Sequence, residues 1–212
     1  MELRCKALLF DLDGVLVDSR AVVERTWQRW AERHGIDPAP FLAIAHGRRA
    51  FDTLRAVAPH LATKAEVTWL DDTERVDVES LRALPGAVQL LSSLPRDRWA
   101  IVTSCDLVLA RVRLGAAGVP LPDVFVVSDD VQQGKPAPEG YRLAAHRLAL
   151  DPGECIVFED APAGVAAGLA AGARVIGLTT THAARDLPGV VTAIPNLAAV
   201  HVRAERDGLV IR

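Results

Sequence analysis

The sequence predicts an α/β fold: a parallel sheet covered by helices, with a block of helices inserted after the first strand. Three observations carry this expectation. Short apolar runs at 6–10, 99–102, 124–127, 155–158, 174–178 and, more weakly, 190–194 lack a helical period and read as buried strands. Segments with helical punctuation lie between them. Segment 86–94 follows Pro85, 107–117 ends at Gly118, and 138–150 precedes Asp151-Pro152-Gly153. Segment 161–171 opens with Pro162 and ends at Gly172. Strands alternating with helices imply βαβ units and a parallel sheet with right-handed crossovers.

The third observation is a break in that alternation. Residues 19–84 contain no convincing strand, and their periodic segments, 22–34, 41–45, 50–58 and 64–73, read as helices. In 50–58, Phe51, Leu54, Val57 and Ala58 recur at helical spacing and predict a packing face. An all-helical insert placed just after the first strand suits a lid over a site at that strand's end. At the other end of the chain, Glu205-Arg206-Asp207-Gly208 followed by Leu209-Val210-Ile211 predicts a terminal hairpin closing onto an edge.

Composition narrows the function. The 212 residues can bury a substantial core, and a net charge of −3 gives no reason to expect nucleic-acid or anionic-membrane binding. No apolar stretch approaches the ~20 residues of a membrane span, and the first residues lack the order of a signal peptide, so the cytoplasm is the expected location. Cys5, Cys105 and Cys155 are scattered, predict no disulfide framework, and read as small buried hydrophobes. Of the 24 basic residues only three are Lys: Lys6, Lys64 and Lys135. A Lys kept in so Arg-rich a chain marks a place that needs a compact ammonium, although Lys64 reads as a solvated helix residue.

Candidate site residues follow the strands. The first strand ends at Asp11 and Asp13, followed by Gly14, and the second at Thr103-Ser104. The third leads through Ser128-Asp129-Asp130 to Gly134-Lys135-Pro136, and the fourth ends at Glu159-Asp160. In open α/β sheets ligands bind beyond the carboxyl ends of the strands, so four polar clusters in succession converge on one edge. Asp11 is placed as a carboxylate nucleophile and Asp13 as a general acid and base. So many carboxylates call for a hard cation, and Mg²⁺ suits them. Thr103 and the backbone amides that follow it can hydrogen-bond phosphate oxygens, and Lys135 supplies a fixed positive charge. Together these parts match phosphoryl transfer. Asp129 and Asp130 read as turn residues. His182 reads as a loop residue, and Asp18 and Ser19 as a hinge or helix cap.

At these residues the chain resembles the haloacid dehalogenase superfamily. The resemblance rests on Phe-Asp-Leu-Asp-Gly-Val-Leu-Val-Asp-Ser at 10–19, Ile-Val-Thr-Ser at 101–104, Gly-Lys-Pro at 134–136 and Phe-Glu-Asp-Ala-Pro-Ala-Gly-Val at 158–165. The helical insert resembles the branch with a helical cap, which includes sugar-phosphate phosphatases and β-phosphoglucomutase. His-Gly-Arg at 46–48 and Ala-Leu-Pro-Gly-Ala at 83–87 are similar to bacterial hexose- and hexitol-phosphate phosphatases. The resemblance implies a three-layer Rossmann-like core of residues 1–18 and 85–212 and a helical cap of residues 19–84. It implies an aspartyl-phosphate on Asp11, with Asp13 as acid and base and Thr103, Ser104 and Lys135 holding the phosphoryl group. Mg²⁺ would be held by Asp11, the backbone carbonyl of Asp13, and Asp160, with Glu159 a nearby or direct ligand. His46, Gly47 and Arg48 are candidate substrate contacts in the cap.

The reading is therefore a Mg²⁺-dependent phosphatase, a monomer acting on a small phosphorylated sugar or polyol. A phosphomutase of the β-phosphoglucomutase type is the alternative. Its pattern has a His on the first cap helix, near the position of Val23 here, and this departure favours water as the acceptor. A non-catalytic binding protein on the same fold is more remote, because no motif position is substituted.

Overall fold

The computed structural model describes residues 2–212. After β1 (Leu3–Cys5), the first strand of the main sheet is β2 (Ala7–Phe10). The others are β5 (Trp99–Val102), β6 (Val124–Val126), β7 (Cys155–Glu159), β8 (Arg174–Leu178) and β9 (Thr192–Ile194). Their order is β6-β5-β2-β7-β8-β9, every pairing is parallel, and β2 lies inside the sheet between β5 and β7. The four strands that lead to the polar clusters, β6, β5, β2 and β7, are thus immediate neighbours.

The two-residue period of a strand sorts each apolar run between two cores. Leu8 and Phe10 pack on one face with Leu90 and Leu91 of α5 (Ala87–Ser93) and Leu109 and Leu114 of α6 (Leu107–Ala117). Ala7 and Leu9 pack on the other with Tyr141 and Ala144 of α7 (Glu139–Arg147) and Val165 of α8 (Pro162–Ala171). The result is a three-layer α/β core. Phe10 stacks on Phe158 across β2 and β7, centroids 5.0 Å apart, which sets the two strand ends that carry Asp11 and Glu159 side by side.

Between β2 and β5 the chain leaves through β3 (Val17–Asp18) and returns through β4 (Arg82–Ala83), a two-residue antiparallel ribbon. What lies between is helical: α1 (Arg20–His34), α2 (Ala39–Leu42), α3 (Ala50–Val57) and α4 (Lys64–Val76). These helices have a hydrophobic cluster of their own, built on Trp27, Trp30, Phe41, Leu54 and Leu70. Trp27 stacks on Phe41 at 5.4 Å and meets Trp30 edge-on at 5.7 Å, arrangements that aromatic quadrupoles favour.

Several elements differ from the sequence expectation. The helix expected to end at Thr73 continues to Val76, which carries Glu74 and Arg75 into contact with the core. Phe51, expected on a packing face, is 39 % exposed, whereas Leu54 and Ala58 are buried as that face requires. The terminal hairpin of β10 (Val202–Glu205) and β11 (Gly208–Ile211) closes onto β1, making a separate three-stranded sheet. Val190 and Val191 precede β9, the last strand of the main sheet, instead of opening it. Among the described residues no helix is long and apolar enough to cross a membrane.

Trp30 has no exposed surface, and its indole Nε1 donates to Glu66 Oε2 at 2.7 Å. Trp30→Ala should destabilise the protein by about 3–5 kcal/mol, the usual cost of emptying a buried aromatic site. Urea unfolding measures this, and a loss below about 1 kcal/mol would show that the helical insert does not depend on its aromatic cluster.

Candidate active site

Strand β2 delivers Asp11 into a buried position, 2 % exposed, and its amide still donates across to Phe158 at 3.0 Å. A tight turn follows, in which the amides of Leu16 and Val17 donate back to the Leu12 carbonyl. Gly14 has φ of +76°, and a Cβ there would fall 1.9 Å from Asp160 Oδ2. The glycine lets the turn pass directly under the acid from β7.

The centre of the site is an ion cluster. Lys135 Nζ lies 2.7 Å from Asp11 Oδ1 and 2.6 Å from Glu159 Oε1, and donates to the Val102 carbonyl at 3.3 Å. Glu159 is completely buried. Its Oε1 also accepts from the Tyr141 hydroxyl at 2.6 Å, and its Oε2 from the amides of Asp160 and Ala161 at 3.1 and 3.5 Å. Asp160 Oδ2 accepts from Thr181 Oγ1, while its Oδ1 is buried with no hydrogen-bond partner.

These acids are costly where they stand. Burial pushes the Asp11 carboxyl up to about 7, the negative charge of Glu159 adds to the rise, and Lys135 opposes it. Burial likewise pushes Asp160 well above the usual carboxylate range, with Glu159 and Asp11 adding to the effect. Asp11, Glu159 and Asp160 each offer an oxygen within 4.8 Å of the others. Hard oxygen donors, unneutralised charge and an orphaned Asp160 oxygen fit a divalent cation.

A small cavity of about 70 Å³ lies between the core and the helical insert. Asp11, Asp13 and Ser104 line it from the core, and His46, Gly47 and Arg48 from the insert. The insert approaches closely here: Ser104 Oγ donates to the Gly47 carbonyl at 3.0 Å, and a Cβ on Gly47 would meet Ala161 Cβ at 2.8 Å. His46 faces His182 of the core edge-on, at 6.5 Å, and its pKa is lowered chiefly by burial and then by the charge of Arg20. Thr103 is buried and accepts from the Cys105 amide at 3.1 Å, next to the cavity instead of lining it. Glu159, Asp160 and Lys135 stand behind Asp11, outside the cavity lining.

Some side chains of the site were not among the sequence candidates. Thr181 holds Asp160, and its signal was present, since it follows β8 at the same sheet edge as the other clusters. Tyr141 holds Glu159 from α7. Arg113 of α6 is buried against Asp13 at 2.5 Å, and Glu74 of α4 binds that same Arg113. Neither α6 nor α4 carries a local pattern that separates these two residues from surface charges. All three cysteines are free and buried, Cys105 within 3.2 Å of Asp13. Lys64 is exposed, and Asp130 pairs with Arg147.

Comparison with known proteins agrees with this geometry. A family model described as haloacid dehalogenase-like hydrolase matches residues 5–172. The chain is 45 % identical over 214 aligned positions to Hexitol phosphatase A of Escherichia coli (strain K12), covering 99 % of each protein. It is 35 % identical to Glycerol-1-phosphate phosphohydrolase 2 of Saccharomyces cerevisiae, over 85 % of this chain and 77 % of the yeast protein. A crystal structure of a hydrolase from Pseudomonas syringae superposes with a TM-score of 0.80 at 26 % identity, covering 91 % of this chain and 94 % of that one. The chain belongs to the haloacid dehalogenase-like hydrolases and groups with the phosphatases of that family.

Proposed function

We propose that this phosphatase is Mg²⁺-dependent and hydrolyses the monoester of a small phosphorylated sugar or polyol through an aspartyl-phosphate on Asp11. The observation that carries the reading is the pairing of a buried, charge-crowded Asp11, which lines a small cavity between core and insert, with Lys135 behind it. The names of the relatives support the substrate class, since they describe a hexitol phosphatase and a glycerol-1-phosphate phosphohydrolase. A cavity of about 70 Å³ falls well below the several hundred Å³ typical of sites for drug-sized ligands, which favours a compact ester.

An Asp11 carboxylate oxygen attacks phosphorus, and the bond to the ester oxygen breaks. Asp13 gives its proton to that leaving oxygen, so the alcohol departs neutral. Lys135, with Thr103, Ser104 and nearby backbone amides, steadies the phosphoryl oxygens during transfer. Asp13, now ionised, takes a proton from water as that water attacks phosphorus; the bond to Asp11 breaks and phosphate leaves. Mg²⁺, held by Asp11, Asp160 and the Asp13 carbonyl with Glu159 beside them, would offset the negative charge of the carboxylates and of the phosphoryl group. Glu159 holds Lys135 in place from behind. The insert of residues 19–84 acts as the cap, hinged at the ribbon of β3 and β4. Val23 presents an apolar side chain to the cavity, which supports water as the acceptor over a sugar hydroxyl.

Asp11→Asn should lower phosphate release at least about 10³-fold with an unchanged circular dichroism spectrum. EDTA should silence the wild-type enzyme, and added Mg²⁺ restore it. Metal-independent release, or turnover by Asp11→Asn near the wild-type rate, would overturn the mechanism. Across a panel of phosphorylated sugars, polyols, glycerol phosphates and nucleotides, kcat/KM should be highest for a sugar or polyol monophosphate; a nucleotide at the top would displace the assignment.

The pH dependence has a definite sign. An ordinary carboxyl is ionised above about 4, whereas Asp11 in the fold keeps its proton up to about 7. Without metal, this group therefore lowers stability as pH rises from about 4 to 7. A divalent cation favours the ionised form, so stabilisation by Mg²⁺ should grow over the same window. Thermal melts with saturating Mg²⁺ against EDTA should show a gain of about 2–3 kcal/mol at pH 8 and much less at pH 5. An equal shift at both pH values would contradict the cation site.

A further inference from the structure

Arg113 is a core residue, 3 % exposed, yet it joins two acids that reach it from different parts of the chain. Its Nη1 lies 2.5 Å from Asp13 Oδ2, and its Nη2 donates to Glu74 Oε2 on helix α4 of the insert. Nη1 also lies 2.9 Å from Cys105 Sγ, which is itself 3.2 Å from Asp13 Oδ2. A buried guanidinium has no water to replace a missing acid, so removing either partner leaves an uncompensated charge. Its Nε already lacks a hydrogen-bond partner, so its neutralisation depends on the two carboxylates.

Asp13 needs such a partner. It stands on a turn, its side chain 20 % exposed. Ser19 Oγ, at the start of the insert, donates to Oδ1 at 2.6 Å, while Arg113 and Cys105 hold Oδ2. We propose that Arg113 is the positioning residue for Asp13 and that Glu74 anchors Arg113 from the insert. The carboxylate that handles the leaving-group proton is then fully oriented only when the helical insert is docked on the core. The inference rests on the assignment of Asp13 as proton donor and acceptor made above. Arg75 reinforces the docking, binding Asp106 at the start of α6. The planar fork of Arg is what lets one side chain meet both acids, and Lys cannot reproduce it.

A purely structural ion pair would affect every substrate alike, whereas a positioning role depends on the leaving group. An alkoxide needs a proton to depart, and 4-nitrophenolate does not. The measurement is kcat/KM for glycerol 1-phosphate and for 4-nitrophenyl phosphate, since kcat/KM covers the steps up to ester cleavage. Asp13→Asn sets the scale and should lower the alkyl-to-aryl ratio about 100-fold. Arg113→Met should lower that ratio about 30- to 100-fold, and Glu74→Gln about 3- to 10-fold, with Arg113→Lys between wild type and Arg113→Met. If Asp13→Asn leaves the ratio unchanged, the role given to Asp13 fails. If Asp13→Asn lowers it but a folded Arg113→Met does not, or Glu74→Gln keeps the wild-type ratio, the inference is overturned on its own. Should Arg113→Met not fold, the same ratio in Glu74→Gln and Arg113→Lys decides: lowered in both supports the proposal, and unchanged in either overturns it.

Discussion

Burying carboxylates beside one another is the constraint on which the rest of this molecule depends. Asp11, Glu159 and Asp160 are nearly or wholly inaccessible, and in a medium that screens poorly their repulsion is large. The fold answers with position and countercharge. Neighbouring parallel strands bring the acids to one edge, and Lys135 reaches two of them. Tyr141, Thr181 and backbone amides occupy several of the remaining oxygens. What stays unsatisfied, above all Asp160 Oδ1, is where the cluster's capacity for a cation lies.

The second layer of the design is the insert, which packs about its own aromatic core, lends Val22 and Leu81 to the main hydrophobic cluster, and meets the main domain through a set of polar contacts. Those contacts fall next to the chemistry: Gly47 against Ser104 and Ala161, His46 against His182, and Glu74 against Arg113. Through Ser19, and through Glu74 and Arg113, the insert is joined to Asp13 at the edge of the cavity.

Much of this was legible in the residues alone. Apolar runs broken by Pro and Gly mark strands and helices through local chemistry, and acids just past a buried strand have few structural uses. Hence Asp11, Asp13, Thr103, Lys135 and Asp160 could be named without coordinates. Boundaries were less legible. Helix α4 outran its apolar period because Glu74 and Arg75 are stabilised by ion pairs with a distant helix, and no pattern within α4 records that. Phe51 was misplaced for the converse reason: spacing identifies a stripe but not which edge of it a neighbour covers.

By itself, the sequence determined the alternation of strands and helices, the helical insert and the residue types at the strand ends, since these rest on propensities and spacings within about ten residues. The strand order, the burial of Glu159 behind Lys135, and the meeting of Asp13, Arg113 and Glu74 were decided only by the tertiary structure. Such contacts join residues 24 to 100 positions apart. Their favourable energy exists only once the chain between them has packed, so a charged side chain looks the same in the sequence whether it ends in solvent or at the centre of the site.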